Sequence, residues 1–293
     1  MINRRSFLGS AALALLASGC QSFHGIGLCH AGGKVPFKFG MAGFSFFRCT
    51  LDETLAYMKA LDVHYLCIKD FHLPFKASAA DIATFHRKCA DHGVTGYGVG
   101  PIYMLSDDEA KRAFEYAARV GVKTVVCVPA ELRGKTRVAS RARCETLARL
   151  CAEYDMRAAI HNHGPDIPEC FPTGDSAYEM VKDLDPRVGL CLDIGHNYRS
   201  GKDPAACIRK YADRLFDFHL KDIEPHTTDI KADAKILGRG VLDLPGILKA
   251  LVDVGYAGSC SIEYETNFKD NLADLAECAG YFKALCRASR ACG

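Results

Sequence analysis

Short apolar runs alternate with longer stretches whose apolar residues recur at helical spacing, from Phe37 to about Ser289. Strand patterns fall at residues 37–46, 65–73, 94–103, 124–129, 156–163, 187–196, 215–223 and 258–265. Helical patterns fall between them, at about 52–61, 78–92, from Ser106 to Gly121, 136–154, from Thr173, from Asp203, 243–254 and 270–289. Punctuation supports these boundaries. Asp91-His92-Gly93 stops one helix, Ser106 and Glu109 have capping-box spacing, and Pro204 follows Asp203 at a helix start.

Eight strands, each followed by a helix, imply parallel βαβ units and predict an α/β fold made of a single (β/α)8 barrel, the TIM-barrel architecture, over about residues 35–290. An open doubly wound sheet is the alternative. It would announce itself by a glycine-rich turn after the first strand, and Gly40-Met41-Ala42-Gly43 lacks that form. No linker or composition shift divides the barrel.

Residues 1–31 read differently. Arg4-Arg5-Ser6-Phe7-Leu8 leads into the apolar run 11–17 and then into small residues, the order of an export signal of twin-arginine type. This predicts an exported, periplasmic or cell-envelope bacterial protein; an ordinary secretory leader is the alternative. The run is too short for a permanent membrane span. Ala17-Ser18-Gly19-Cys20 resembles a lipoprotein site, which makes a lipid anchor at Cys20 the single membrane contact to consider.

Charge and cysteines narrow the picture. With 37 basic and 35 acidic residues the net charge is +2, and no basic run stands out, so nucleic acid is not an expected partner. Fifteen cysteines include no CxxC pair. Cys67, Cys127, Cys191 and Cys260 fall in strand patterns and Cys89, Cys144, Cys151 and Cys207 in helical ones, as buried thiols would. One or two disulfides stay open for an exported chain.

The chemistry concentrates at strand ends. On 217–222, the polar residues Asp217, His219 and Lys221 alternate with Phe218 and Leu220, so one face carries reactive groups and the other packing. His161, Asp193 and Glu263 end the fifth, sixth and eighth strands in the same way. In a barrel these ends converge on one mouth. Two imidazoles and two carboxylates form a plausible ligand set for Mn²⁺, Zn²⁺, Co²⁺ or Fe²⁺. Taken singly, each has a plainer explanation, a helix cap for an acid or a hydrogen-bonded core residue for a histidine.

Leu192-Asp193-Ile194-Gly195-His196, Phe218-His219-Leu220-Lys221-Asp222, the loop 237–243 and Ser261-Ile262-Glu263 resemble segments of the sugar phosphate isomerase/epimerase family, whose fold is a xylose isomerase-like TIM barrel. The resemblance implies a divalent metal held by a Glu, an Asp, a His and a second Glu at the ends of strands five to eight. It also implies that the two Glu shuttle protons at a carbon beside a carbonyl. Asp193, His219 and Glu263 match three of these positions; where relatives read Ile-Glu-Asn-His, this chain reads Ile160-His161-Asn162-His163. An imidazole there removes one negative charge and one carboxylate base. His163, His196 or His161 could take the missing role, and Glu131 is the reserve carboxylate.

The expected activity is therefore a metal-dependent isomerase or epimerase acting on a small sugar or keto-sugar through an enediolate. Glu263, His163 and His196 are the candidate bases, and Lys221 the electrophilic helper. An ion pair with Asp222 or Glu265 is the plainer role for Lys221. The alternatives are an exported lyase or dehydratase acting on keto-sugars or 3-keto-glycosides, and a silent sugar-binding barrel. A metal-dependent endonuclease is disfavoured by the neutral charge balance. Lys69, Asp70 and His72 are candidates for the opposite wall, and Gly238-Arg239-Gly240 is a turn with a lesser chance of cradling an anion.

Overall fold

The structure, a computed structural model, describes residues 35–224 and 234–291. The expected signal segment 1–31, with Cys20, lies outside the described residues. Eight parallel strands close into a barrel: β1 Lys38–Ala42, β2 Tyr65–Ile68, β3 Thr95–Met104, β4 Thr124–Arg133, β5 Arg157–His161, β6 Val188–Asp193, β7 Leu215–Leu220 and β8 Ser259–Ile262. Each pairs with its neighbours in sequence, and β8 pairs back onto β1 through Lys38 opposite Ser259. The expected barrel is present.

Helices start where the sequence supplies caps. Thr50 and Ser78 each form a closed capping box, with Glu53 and Asp81, on the helices Leu51–Leu61 and Ala79–Asp91. Ser106 caps Asp107–Val120, but the Glu109 carboxylate accepts from Leu105 N, so the expected box is not closed there. The shell helices Leu244–Asp253 and Leu272–Ala291 pack late in the chain. None of the described helices is long and apolar enough to cross a membrane. Of the twelve described cysteines, all but Cys49 are buried.

Several elements depart from the sequence pattern. The first strand ends at Ala42, and Gly43–Phe46 coils into a 3-10 turn. Residues 136–139 do not begin a helix. They pair antiparallel with the end of β4, Ala130 opposite Ala139, because Gly134 at φ +63° turns the chain back. The following helix starts only at Arg141, capped by Ser140. The sixth strand stops at Asp193, and residues Ile194–Arg199 form a short helix, so His196 stands on a helical turn instead of a strand.

The core has two layers. A large apolar shell lies between strands and helices, and a small cluster of Cys67, Val126, Ala159 and Cys191 fills the barrel interior beside Tyr97 and Phe216. Polar groups sit among them. Asp217 and Ser261 are fully buried inside the barrel.

Candidate metal and sugar site

His161 and Asp193 are the last residues of β5 and β6, His219 is the penultimate residue of β7, and Glu263 follows β8 directly. The strand register puts Asp193 opposite His219 and His219 opposite Ser261, while Glu263 N donates to Leu220 O at 2.9 Å and extends the ladder. All four side chains consequently reach one level of the barrel mouth. Each is buried, and one ligand atom from each lies within 4.8 Å of the others.

The backbone beneath them is held from the side. Asn162 donates to Asp193 O at 3.1 Å and accepts from Asp193 N at 2.9 Å. Asp193 divides its carboxylate: Oδ1 accepts from His196 N at 2.8 Å and caps the short helix, and Oδ2 faces the site. On the other flank Ser45 brackets Glu263. Its hydroxyl donates to Ile262 O at 3.2 Å and accepts from Tyr264 N at 2.9 Å, while Asn271 donates to Ser45 O.

Lys221 enters the centre. Its Nζ lies 2.6 Å from Glu265 Oε2, 3.1 Å from Glu263 Oε2, 3.2 Å from Asp193 Oδ2 and 3.1 Å from His196 Nε2. Burial opposes its charge, yet the three carboxylates hold it protonated, well above the ordinary lysine range. Burial alone would raise Glu263, but Lys221 and His219 keep it well below the usual carboxylate range. Asp193 goes the other way, pushed up to about 7 by burial against the pull of Lys221. His219 would be lowered by burial, and Glu263 at 3.1 Å from its Nδ1 raises it to about 9. Burial pushes His161 down to about 4, and holds His163 and His196 well below the ordinary histidine range, so these three stay neutral.

The donor set fits a divalent ion. His161 Nε2 and Asp193 Oδ2 are buried without a hydrogen-bond partner; Lys221 is an ion-pair neighbour of Asp193 without hydrogen-bond alignment. Buried polar atoms of this kind call for a ligand. Two imidazoles and two carboxylates, each offering one atom within 4.8 Å of the others, are the residues that would hold such an ion.

His163 also reaches the mouth. Its ring lies 4.8 Å from that of His161, Tyr103 Oη is 2.9 Å from its Nε2, and its Nδ1 is buried without a partner. The remaining candidates divide. Glu131 is on the surface hairpin, held by Arg133 and Ser140, because residues 136–139 continue the sheet instead of starting a helix. Lys221 pairs with Glu265 and not with Asp222, since Asp222 is engaged elsewhere: it accepts from Gly238 N at 2.9 Å, Gly240 N at 3.0 Å and Leu242 N at 3.3 Å. The anion cradled by Gly238-Arg239-Gly240 is therefore the chain's own. A Cβ at Gly240 would stand 2.1 Å from Asp222 Oδ1. Lys69 donates to Pro101 O, and His72 is buried against Thr54.

Tyr103, Ser45 and the role of Asn162 were missed by the sequence reading, whereas Glu265 is the ion-pair partner expected for Lys221. Glu265 lies two residues after Glu263, on the same side of an extended chain, which brings both carboxylates to the Lys221 ammonium. Ser45 had no signal, being 226 residues from Asn271.

The family described as "Xylose isomerase-like TIM barrel" matches residues 39–284. The chain is 28% identical over 186 residues to the rhizopine catabolism protein MocC of Rhizobium meliloti, covering 55% of this chain and 56% of that protein. It is 33% identical over 136 residues to an inosose dehydratase of Klebsiella pneumoniae, covering 41% and 44%, and 27% identical over 164 residues to the inosose isomerase of Bacillus subtilis, covering 53% and 58%. The chain thus spans about half the length of these curated relatives. Among solved structures, the IolI protein with a bound zinc atom superposes at TM-score 0.68 and 19% identity over 85% of this chain and 97% of that one. D-psicose 3-epimerase of Clostridium cellulolyticum, solved with D-tagatose, gives 0.67 and 18% over 85% and 98%. At such identities these two likenesses establish the fold.

Proposed function

Because the chain belongs to the xylose isomerase-like TIM barrel family, we propose that it removes a proton from the carbon beside the carbonyl of a small keto-sugar or keto-cyclitol, and returns it elsewhere as an isomerase or epimerase. The carrying observation is the buried quartet His161, Asp193, His219 and Glu263, with the Lys221 ammonium against its two carboxylates. A divalent ion held by the quartet would polarise the carbonyl and its neighbouring hydroxyl.

The chain's own groups supply the rest. His163 and His196, neutral at ordinary pH, offer lone pairs to the acidic carbon, and Glu263 is the remaining carboxylate base. Lys221 faces the developing oxyanion with a fixed positive charge, which favours the enediolate over the ground-state ketone. Glu265 and Asp193 hold that ammonium in place.

A second reading is elimination. It is favoured by His161 standing where a second carboxylate base is expected, together with Lys221 as a proton donor. One base takes the α-proton, the carbon–carbon double bond forms, and the β-hydroxyl or glycosidic oxygen leaves with a proton from Lys221. Relatives named inosose dehydratase and inosose isomerase support weighing both outcomes.

Incubation of the metal-loaded protein with ketoses, inososes and 3-keto-glycosides in deuterium oxide tests the reading. Deuterium entering carbon without loss of a substituent supports the isomerase, and release of water or aglycone supports the lyase. Turnover of none of the panel, with saturable binding alone, would favour a silent sugar-binding barrel. The exported address rests on Arg4-Arg5 and the apolar run after them and is likewise a proposal; a full-length protein found in the cytosolic fraction of its cell would sink it.

A further inference from the structure

Below the quartet lies a carboxylate with no role in the chemistry above. Asp217 is fully buried, two residues before His219 and on the same inward face of β7. Tyr97 Oη reaches both of its oxygens at 3.1 Å, Phe218 N donates to Oδ1 at 2.9 Å, and the Ser261 hydroxyl is 2.9 Å from Tyr97 Oη. Among the described residues its one ion-pair neighbour is His219, whose Nε2 is 3.9 Å from Oδ2. That nitrogen is buried and has no hydrogen-bond partner.

The two edges of the His219 ring therefore face opposite ways. Nδ1 looks at Glu263 and the quartet, and Nε2 looks down at Asp217. A buried carboxylate held by neutral donors is costly unless it interacts with something charged or strongly polar. An imidazole bound to a cation is such a group, since coordination at one nitrogen makes the other N–H a stronger donor and calls for an acceptor behind it.

We propose that Asp217, itself held by the Tyr97–Ser261 hydroxyl chain, is the positioning residue that fixes His219 with Nε2 protonated and Nδ1 presented to the divalent ion. Closing the gap from 3.9 Å to a hydrogen-bond distance of about 3 Å takes a small ring movement. Tyr97 keeps the carboxylate from rotating away, and Ser261, opposite His219 in the strand register, completes the chain. This rests on the metal reading above and concerns a residue that the quartet does not contain.

The test uses the full chain loaded with Zn²⁺. Zinc affinity is measured by competition with a chelator, and the His219 ring N–H is observed by ¹H–¹⁵N NMR in wild type, Asp217→Asn, Asp217→Ala and Tyr97→Phe. Removing the carboxylate is expected to weaken zinc binding by about 10–100-fold and to abolish a slowly exchanging Nε2 proton; Tyr97→Phe should weaken binding by a smaller factor and keep that proton. If Asp217→Ala does not fold, Asp217→Asn carries the comparison, with an expected loss between those of Tyr97→Phe and full removal. Zinc affinity and ring proton unchanged in the folded variants, even with a lowered melting temperature, would overturn the proposal and leave the metal reading standing. Wild type that binds neither zinc nor another divalent ion would take both down.

Discussion

Asn162 grips Asp193 by both edges of one peptide unit's neighbourhood, donating to its carbonyl at 3.1 Å and accepting from its N–H at 2.9 Å. This pairing joins β5 to the last residue of β6 at the depth where the site begins. Asp193 cannot shift without breaking both bonds. Asn162→Ala leaves a buried N–H and a buried C=O unmatched and is expected to cost about 2 kcal/mol or more of stability in urea unfolding. It should also weaken divalent-ion binding, because Oδ2 loses its fixed direction. Unchanged ion affinity would show that the short helix capped by Asp193 suffices to hold it.

Lys221 competes with any cation for the same oxygens of Asp193 and Glu263. Substituting Met keeps the stem and removes the charge. In Lys221→Met, the ion-free protein should be destabilised, since three carboxylates, those of Asp193 and Glu263 buried, lose their shared counter-charge. Divalent-ion affinity should rise for the same reason. Turnover should nevertheless fall by about 10²–10⁴ if the ammonium stabilises the oxyanion or donates the proton. Ion titration and deuterium exchange, measured on the same preparation, separate the two effects; tighter binding with undiminished exchange would confine Lys221 to charge balance.

The barrel was legible because eight apolar strand runs repeat at regular spacing, and a strand end is a position that sequence alone can name. His161, Asp193, His219 and Glu263 were found on that basis. What surrounds them was harder to read. His196 falls in a strand pattern because 187–196 carries the apolar run Val188 to Leu192, and the break comes from Asp193 capping a helix with its own carboxylate. The hairpin at 136–139 was hidden by its helix-compatible residues, and a left-handed glycine decided it. Tyr97, Asp217 and Ser261 come together from β3, β7 and β8, and no local pattern encodes a contact between residues so far apart.

Asp222 accounts for the glycines of the loop 238–242, which a sequence reader would weigh as an anion cradle. Its carboxylate accepts four backbone N–H groups, from Ile223, Gly238, Gly240 and Leu242. Charge-assisted bonds of this type are among the stronger ones in proteins. Asp222→Ala should cost roughly 3 kcal/mol or more, because four backbone donors, those of Ile223 and Leu242 buried, lose their acceptor. Inorganic phosphate should not protect the wild-type loop against heat or protease, since its anion site is already filled. Phosphate-dependent stabilisation of wild type, lost in Gly240→Ala, would contradict this.

His72 gives the fold a sensitivity to acid that is separate from the site. Buried beside Phe46 and Phe71, its Nδ1 accepts from Lys69 N at 3.3 Å and its Nε2 faces the Thr54 hydroxyl at 3.3 Å. Burial first, and the nearby Lys69 charge second, push it down to about 3 from 6.5. The unfolded chain therefore takes up a proton below about pH 6.5 that the folded chain refuses until about pH 3. The neutral ring's contribution is fully present above the upper value and is lost as pH falls toward the lower one. His72→Gln, which keeps a donor and an acceptor without a titrating ring, is expected to be less stable than wild type near neutrality, with the gap narrowing as pH is lowered. Urea unfolding of both proteins between about pH 7 and about pH 4.5 reads the difference directly, and a gap that stays constant across that range would show that His72 titrates in the folded protein much as it does in the unfolded chain.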